Sequence, residues 1–224
     1  MSADDRHSQA VEPPLIGDAD ERARVEAANV LRQFDHVLDL VRESTAPERK
    51  FKLRPSMLLG LQRTALNGLT NYAGTWRPGE VVIGKSKHTP PGAHLVPELA
   101  EDMCDYVNDN FEGRSAVHLA AYVMWRLNWI HPFVDGNGRT SRAASYLVLC
   151  AKSGHVLPGT KTIPEQIAQN KKPYYEALEA ADAQWKAGLV DLKALEDLLS
   201  AALATQLADY HRMATGPEGG GTSA

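Results

Sequence analysis

Residues 115–140 of the chain read SAVHLAAYVMWRLNWIHPFVDGNGRT. From Ser115 to Ile130, apolar residues occupy more than one face of the predicted helix, a pattern typical of a helix buried at the centre of a domain. From residue 131 onward, proline, asparagine and glycine replace that pattern and predict a tight loop. The stretch therefore predicts a central helix that delivers His131 to a loop.

The loop has the features of an anion site. Gly136, Asn137 and Gly138 let the backbone turn its N–H groups toward a bound anion, and the two glycines remove the steric cost of a positive φ. The helical stretch that follows, 140–150, would direct its N-terminal N–H groups and the positive end of its dipole at the same point. A phosphate is the ligand that this arrangement predicts.

Four further side chains of the loop suit a polyphosphate. Arg139 and Arg142 are three residues apart, so they share one face of the first helical turn and could both reach the outer phosphates. Asp135 offers the hard oxygen ligands that Mg²⁺ prefers, and His131 can accept a proton near neutral pH. Together they indicate a site for cutting a nucleoside triphosphate.

Each of these residues also has a purely structural interpretation. A lone histidine such as His131 is more often a buried helix-end residue bonded to a backbone carbonyl, and Arg139 and Arg142 could belong to a solvated helix start. Cations at a helix N-terminus oppose the dipole, however, and a bound polyphosphate gives them a reason to be there. Phe133, apolar among polar neighbours, is expected to point inward and hold the loop to the core.

Residues 131–139 match the signature His-x-Phe-x-[Asp/Glu]-Gly-Asn-[Gly/Lys]-Arg of the Fic family at every fixed position. A match of this length is far more specific than a lone glycine motif. The chain therefore resembles Fic proteins. The resemblance implies a mainly α fold, a Fic-type helical bundle with a short β-hairpin flap beside the active site.

The resemblance also implies an activity, protein adenylylation. His131 would deprotonate a Ser, Thr or Tyr hydroxyl of a target protein, which would take AMP from MgATP with loss of pyrophosphate. Position by position, it implies Mg²⁺ binding by Asp135, an anion hole at Gly136, Asn137 and Gly138, and binding of the β- and γ-phosphates by Arg139 and Arg142. Doc-like relatives with Lys in place of Gly138 transfer the γ-phosphate, so this glycine favours nucleotidyl transfer over kinase activity.

The segment from Gly74 to Gly92 interrupts the helical pattern. Its proline, glycine and β-branched residues predict a hairpin. The Fic resemblance implies that this hairpin is a flap that holds the target by strand addition, with Val82, Ile83 and Gly84 as contacts. The alternative is a surface hairpin that binds no ligand.

Asn170, Tyr174 and Tyr175 resemble the adenine-side wall of the family, where a tyrosine stacks on or caps the base. The alternative is that the two tyrosines are ordinary packing residues with hydrated hydroxyl groups.

The remaining sequence predicts a single Fic domain with an N-terminal helical extension over 21–212, between disordered tails at 1–20 and 213–224. Further helices are expected over 21–43, 55–69, 97–108, 173–186 and 191–211. Cys104 and Cys150 lack metal-ligand spacing and are expected to be buried thiols in a reducing compartment.

The charge of the chain indicates its class of partner, and its hydropathy indicates its location. A net charge of −4 without a cluster of Lys and Arg argues against a nucleic-acid binder. Neither a signal peptide nor an apolar run that could span a membrane is evident, so the cytoplasm is the expected location. Oligomeric state cannot be read from an amphipathic helix face.

Many Fic proteins carry an inhibitory helix, [Ser/Thr]-x-x-x-Glu-[Gly/Asn], whose glutamate occupies the second arginine. No intact copy is evident here, because residues 44–49 have the spacing but include Pro47, and residues 215–218 are one position too short. In the first helix, residues 28–33 offer a structural slot but present Arg32 where a carboxylate is needed. We therefore expect that the usual glutamate does not restrain this chain and that an antitoxin-like partner could do so.

Three functions fit these patterns. The preferred one is a protein adenylyltransferase that uses ATP and Mg²⁺. The second is a Fic-fold enzyme that transfers another phosphate-linked group or removes AMP from a target, and AMP removal would need a glutamate that positions water. The third is a non-catalytic nucleotide-binding module, for which loss of His131 would leave nucleotide binding unchanged.

Overall fold

The computed structural model of the chain describes residues 6, 8–9, 15–46 and 50–215. Nearly all of the regular structure in these residues is helical, which confirms the predicted mainly α fold. The helices are α1 (Ala19–Ser44), α2 (Pro55–Leu66), α3 (Val96–Asp109), α4 (Ala116–Ile130), α5 (Asn137–Ser153), α6 (Ile163–Gln169), α7 (Lys172–Lys186) and α8 (Lys193–Thr215), with a 3₁₀ turn at Ala93–Leu95.

Helix α4 is the central element, as its sequence predicts. Ser115 caps its N-terminus by accepting a hydrogen bond from the His118 N–H at 3.1 Å. Every residue from Leu119 to Leu127 is buried, because α4 packs against α3, α5, α7 and α8. Its most extensive packing is with α5, so the loop between these two helices has both ends fixed in the core.

Helix α1 packs against α2 and α5 through polar as well as apolar side chains. Gln33 donates from Nε2 to the Leu61 carbonyl at 3.0 Å, and Asn29 donates from Nδ2 to the Asn67 carbonyl at 2.8 Å. Both side chains are buried, and their hydrogen bonds compensate for the loss of water. The buried face of α1 is therefore set partly by side-chain amides.

Most predicted helices lie within a few residues of the observed ones, with two differences. Helix α5 begins at Asn137 rather than near residue 140, because Gly136 serves as its N-cap. Helix α6 was not predicted, since its seven residues are too few to establish a helical period. At the start of α8, the Asp191 carboxylate accepts a hydrogen bond from the Lys193 N–H at 2.9 Å.

The predicted hairpin between residues 74 and 92 is wrong in its pairing. This segment contains a single two-residue strand, β2 (Val82–Ile83), and its partner comes from elsewhere in the chain. The partner is β1 (Ser8–Gln9), which runs antiparallel to β2 with Ser8 opposite Ile83 and Gln9 opposite Val82. The physical reason lies in the prolines at 78, 90 and 91, whose lack of an N–H group prevents a continuous ladder within the segment.

Parts of the predicted tails fall outside the described residues, namely 1–5, 7, 10–14 and 216–224. The described part of the predicted N-terminal tail contacts the domain, through Arg6 and Ser8–Gln9, and α1 already begins at Ala19. Helix α8 continues to Thr215, beyond the predicted boundary at 212. Pro47, Glu48 and Arg49, on which one candidate inhibitory motif depended, also lie outside the described residues.

Both cysteines are free thiols in the core, as expected. Burial raises the pKa of Cys104 to about 12 and that of Cys150 to about 11, so neither forms a thiolate readily. Within the ranges 15–46 and 50–215, no helix has both the length and the apolar character that crossing a bilayer requires.

Candidate functional site

His131 ends helix α4 in the left-handed backbone conformation, with φ 50° and ψ 57°. Its N–H closes the helix by donating to the Leu127 carbonyl at 2.9 Å. A left-handed conformation is unfavourable for a residue with a side chain and persists only where the surroundings enforce it. The neighbours of His131 must therefore hold its backbone in place.

Arg77 is the main neighbour that does so. Its side chain is 2% exposed, and Nε donates to the His131 carbonyl at 2.9 Å while the Arg77 N–H donates to the Pro132 carbonyl at 2.8 Å. The same guanidinium donates to the carbonyls of Gly79 and Pro91. Burial lowers the pKa of Arg77, and nearby Glu80 partly offsets this. A single buried cation thus ties the His131 backbone to the segment around β2.

A second set of contacts holds the loop after His131. Phe133 is fully buried and stacks on Trp76, with 5.3 Å between ring centroids, which confirms its predicted inward orientation. The Asn137 side chain accepts from the Phe133 N–H at 2.9 Å and donates to the Phe133 carbonyl at 2.8 Å. The Asn137 amide therefore shapes the loop itself, and any contribution of this residue to an anion site comes from its backbone.

The two glycines of the loop have different roles. Gly136 has φ +83°, and a Cβ there would lie 2.4 Å from Cδ2 of Leu66, so only glycine fits. Gly138 lies in the first turn of α5 without a positive φ, so the expectation that both glycines need one is correct only for Gly136. A Cβ at Gly138 would lie 3.3 Å from Nη1 of Arg142, so this glycine leaves room for the Arg142 side chain.

The first turn of α5 lies where the sequence predicts an anion site. Its N–H groups have no carbonyl partners within the helix, and the helix dipole adds positive potential there. Gly136 is an exception to the predicted anion hole, since its N–H donates to Oδ1 of Asp135 at 2.6 Å. The other oxygen of Asp135 is 3.4 Å from Nη2 of Arg139, so the carboxylate is held between an amide and a guanidinium.

The predicted loop residues converge on one cavity of about 910 Å³, a size typical of small-molecule sites. His131, Asp135, residues 136–138, Arg139 and Arg142 all line it. Of the predicted flap residues, Ile83 lines this cavity, whereas the Val82 side chain is 64% exposed and Gly84 is not part of the lining.

The predicted adenine side is only partly assembled. Asn170 is exposed and does not line the cavity, whereas Tyr174 and Tyr175 do. Tyr174 is 1% exposed, and its hydroxyl accepts from Nδ2 of Asn128 at 2.7 Å and lies 3.2 Å from Oγ of Ser141. Burial raises the pKa of Tyr174. The packing interpretation thus fits Tyr174, and Tyr175 is the one of this pair that is partly exposed to the cavity.

The electrostatic surroundings of His131 keep its ring neutral. Nδ1 lies 3.3 Å from the Asn128 carbonyl, which can only accept, so Nδ1 carries the proton and the lone pair is on Nε2. Burial lowers the pKa of His131 to about 4; the Asn128 hydrogen bond opposes this, and the nearby His88 and Arg77 lower it further. The structural interpretation of His131 predicted such a contact with a backbone carbonyl, and the Asn128 carbonyl provides it. Because Nδ1 donates to this carbonyl, Nε2 is the basic atom of the ring.

Sequence reasoning missed two charged residues of α1 that line the same cavity, Arg22 and Glu26. Glu26 accepts from Nε of Arg22 at 3.1 Å, one helical turn away. Arg32, which the sequence placed in this slot, is exposed and outside the cavity lining, so the expected register of α1 was wrong. Glu26 does not fit the inhibitory motif, because Arg22 and Ala27 occupy the positions of Ser or Thr and of Gly or Asn.

The Fic/DOC family matches residues 52–149, which include α2 to α4 and most of α5. The chain contains a Fic/DOC domain. This domain therefore contains His131, the first turn of α5 and Arg77, while α1 and α6 to α8 lie outside the matched residues.

Two curated relatives of the chain are named for the same activity. It is 30% identical over 136 residues to the protein adenylyltransferase Fic of Drosophila willistoni, and 32% identical over 114 residues to the protein adenylyltransferase fic-1 of Caenorhabditis briggsae. These matches cover 60% and 49% of the chain but only 26% and 20% of the relatives. The matched part of the chain thus spans only 20–26% of the length of these relatives.

Solved structures extend the likeness to nearly the whole fold. A Fic domain containing signaling protein from Bacteroides thetaiotaomicron superposes with a TM-score of 0.73 at 20% identity, covering 91% of this chain and 77% of that one. Fic-1 from Caenorhabditis elegans superposes with a TM-score of 0.65 at 22% identity, covering 92% of this chain and 55% of that one. The arrangement of helices is therefore that of Fic proteins, including helices outside residues 52–149.

Replacement of Arg77 by Met should destabilise the domain by about 1–3 kcal/mol, because the buried His131 carbonyl loses its donor. Arg42→Met is the matched control, since Arg42 forms an exposed pair with Asp39 whose loss should cost about 0–1 kcal/mol. Urea unfolding measures both free energies. Equal unfolding midpoints for the two variants would show that Arg77 does not hold the loop.

His131 should make the domain sensitive to mild acid. Because its pKa is about 4 in the folded chain against an ordinary value of 6.5, the unfolded chain binds more protons between these pH values. Its contribution to stability is complete above pH 6.5 and is lost as the pH falls toward 4. His131→Asn does not titrate and tolerates the left-handed conformation, so it should lose less unfolding free energy than the wild type between pH 7 and pH 5. Equal losses in urea unfolding would contradict the depressed pKa.

Proposed function

We propose that this Fic/DOC protein is a protein adenylyltransferase, which transfers AMP from MgATP to a Ser, Thr or Tyr hydroxyl of a target protein. The observation that carries the proposal is the shared cavity, in which the neutral His131 ring and the N-terminus of α5 with Arg139 and Arg142 meet. The names of the curated relatives support the same reaction.

The reaction needs one base and a stabilised leaving group. Nε2 of His131 accepts the proton of the target hydroxyl as its oxygen attacks the α-phosphorus. The bond between that phosphorus and the oxygen bridging to the β-phosphorus breaks, pyrophosphate leaves with the electron pair, and the target retains AMP. The proton on His131 then passes to solvent, so neither a covalent enzyme intermediate nor a redox step is involved.

The N-terminus of α5 supports the leaving pyrophosphate. Its first-turn amides, with Arg139 and Arg142, offer fixed positive groups where negative charge increases during the reaction. Such preorganised groups need no rearrangement as the bond breaks. In this proposal the two arginines bind the β- and γ-phosphates, which leaves the α-phosphate toward His131.

Asp135 fits a magnesium ion that arrives with the nucleotide. Among the described residues no three His, Cys, Asp or Glu side chains are grouped as a metal site, and Mg²⁺ usually combines one or two carboxylates with substrate phosphates. The Asp135 carboxylate lines the cavity and is partly exposed, so it can serve as such a ligand. When bound, Mg²⁺ would neutralise phosphate charge.

The depressed pKa of His131 has two consequences for the base. The ring is already deprotonated at neutral pH, as a base must be, but a pKa of about 4 makes it weak. Bound phosphates carry negative charge close to the ring and would raise this pKa toward neutrality. Nucleotide binding would therefore strengthen the base at the moment when it is needed.

Gly138 supports transfer of AMP rather than of phosphate. A side chain here would begin 3.3 Å from Nη1 of Arg142, so a longer residue would compete with the outer phosphates for that guanidinium. With glycine, Arg142 can bind the end of the triphosphate. Target docking by strand addition to β2 is part of the same proposal, with Val82, Ile83 and Gly84 as the contacting residues.

Glu26 favours one second candidate, the removal of AMP from a modified target. A carboxylate in the phosphate cavity can orient a water molecule for attack, and Glu26 lines that cavity beside Arg22. The same carboxylate would repel the γ-phosphate of ATP unless its ion pair with Arg22 keeps it away from that phosphate. In this candidate function, Glu26 thus favours removal of AMP and opposes the binding of ATP.

Label transfer to lysate proteins, with Mg²⁺ and ATP labelled at the α- or the γ-phosphate, tests the proposed reaction. We expect transfer from the α-phosphate alone, reduced about 10²- to 10⁴-fold in His131→Ala because that variant lacks the general base. His155→Ala is the matched control, since His155 is exposed and outside the cavity lining.

Three outcomes would redirect the proposal. Transfer of the γ-label would identify a kinase. If the protein removes AMP from a modified target faster than it transfers AMP, and if Glu26→Gln abolishes this removal, the second candidate is favoured. If the wild type and His131→Ala bind MgATP equally and neither transfers a label, the protein is a nucleotide-binding module.

A further inference from the structure

We infer that the N-terminal segment of this chain, Arg6 and Ser8–Gln9, occupies the edge of β2 at which a target protein would dock, and so competes with the target. This inference rests on the proposed function, because it assigns β2 to target binding. It adds an intramolecular occupant of that edge, which restrains target access.

The first observation is the strand pairing itself. Ser8–Gln9 runs antiparallel to Val82–Ile83, with Ser8 opposite Ile83 and Gln9 opposite Val82. A strand edge offers one row of N–H and C=O groups to one partner at a time. A target that binds by strand addition to the same edge must therefore displace the N-terminal segment.

The second observation shows which edge is covered. The Arg6 N–H donates to the Tyr175 hydroxyl at 3.3 Å, and the Arg6 guanidinium lies over the Tyr175 ring, 4.4 Å from its centroid. Arg6 also forms an ion pair with Glu179, one helical turn further along α7. Arg6 lines the same cavity as His131 and Ile83, so the segment lies on the cavity side of β2, where a hydroxyl substrate would have to enter.

The third observation concerns the strength of this occupancy. The strand pair is only two residues long, and the Glu179 side chain in the ion pair with Arg6 is 56% exposed. Short ladders and exposed ion pairs are individually weak. The segment is thus held well enough to compete and weakly enough to be displaced by a target that pairs over a longer stretch.

The contacts of Arg6 lie on a different helix from the arginines of the phosphate site. Among the contacts of Arg6, Tyr175 and Glu179 belong to α7, whereas Arg139 and Arg142 project from the first turn of α5. Fixing the segment on β2 should therefore obstruct the target more than the triphosphate. This difference separates the inference from a general loss of function.

A reversible cross-link in the full chain tests the inference. Gln9→Cys combined with Val82→Cys places two thiols on directly opposed strand positions, where Cβ atoms lie close enough for a disulfide. Gln9→Cys with Ala201→Cys, on the exposed face of α8, is the matched control. The native Cys104 and Cys150 are buried with raised pKa values and should not compete. After mild oxidation with diamide, we expect an intramolecular disulfide only in the first variant.

The cross-linked protein is then compared with its reduced form, using α-labelled MgATP and lysate proteins as acceptors. We expect transfer to fall to background in the oxidised form and to return with reductant, while the oxidised form still binds MgATP. Arg6→Ala, which loosens the segment without touching β2, should raise transfer several-fold.

Two results would overturn the inference: a disulfide yield no higher than in the control, or equal transfer by the oxidised and reduced forms. If the disulfide forms specifically but neither form transfers the α-label from MgATP to protein, the segment does lie on β2 and it is the proposed function that fails.

Discussion

The hydrogen bonds from the buried Arg77 guanidinium to backbone carbonyls are the constraint on which the candidate site depends. His131 must leave helix α4 in a left-handed conformation, so that its ring points into the cavity while the chain turns toward α5. Arg77 binds the carbonyls of His131 and Pro132 and also those of Gly79 and Pro91. The same residue therefore fixes both the proposed base and the segment that carries β2, the proposed docking strand.

Besides the hydrogen bonds of Arg77, the site has two opposite electrostatic effects. Burial disfavours the charged form of His131 and keeps its ring neutral, while the N-terminus of α5 with Arg139 and Arg142 creates positive potential across the same cavity. A polyphosphate would satisfy the positive side and raise the basicity of the ring at once. The carboxylate of Glu26, paired with Arg22, adds a negative group at the α1 side of the cavity. In the proposed reaction, the basicity of His131 thus depends on which anion occupies the cavity.

Local patterns predicted much of this from the sequence. The apolar run of α4, the positive φ at Gly136 and the inward orientation of Phe133 are encoded by neighbours along the chain, and the structure confirms them. Contacts between distant residues had no such signal. Arg77 lies in a proline-rich segment without periodicity and acts on a loop 54 residues away, so no pattern pointed to it.

The same limit explains the remaining errors. β2 pairs with Ser8–Gln9 across the length of the domain rather than within a hairpin, and only the fold reveals that partner. On α1, apolar spacing could not show that Asn29 and Gln33 are buried through amide hydrogen bonds to α2. The helix is therefore rotated from the expected register, and Glu26 rather than Arg32 faces the cavity.

A crystal structure with Mg²⁺ and an ATP analogue, in which a methylene group replaces the oxygen between the α- and β-phosphorus atoms, would test the central claim most directly. The geometry of the cavity predicts the β- and γ-phosphates at the first turn of α5 beside Arg139 and Arg142, with the α-phosphate nearest to Nε2 of His131. A γ-phosphate nearest to His131, or a nucleotide bound outside this cavity, would contradict the proposed transfer of AMP.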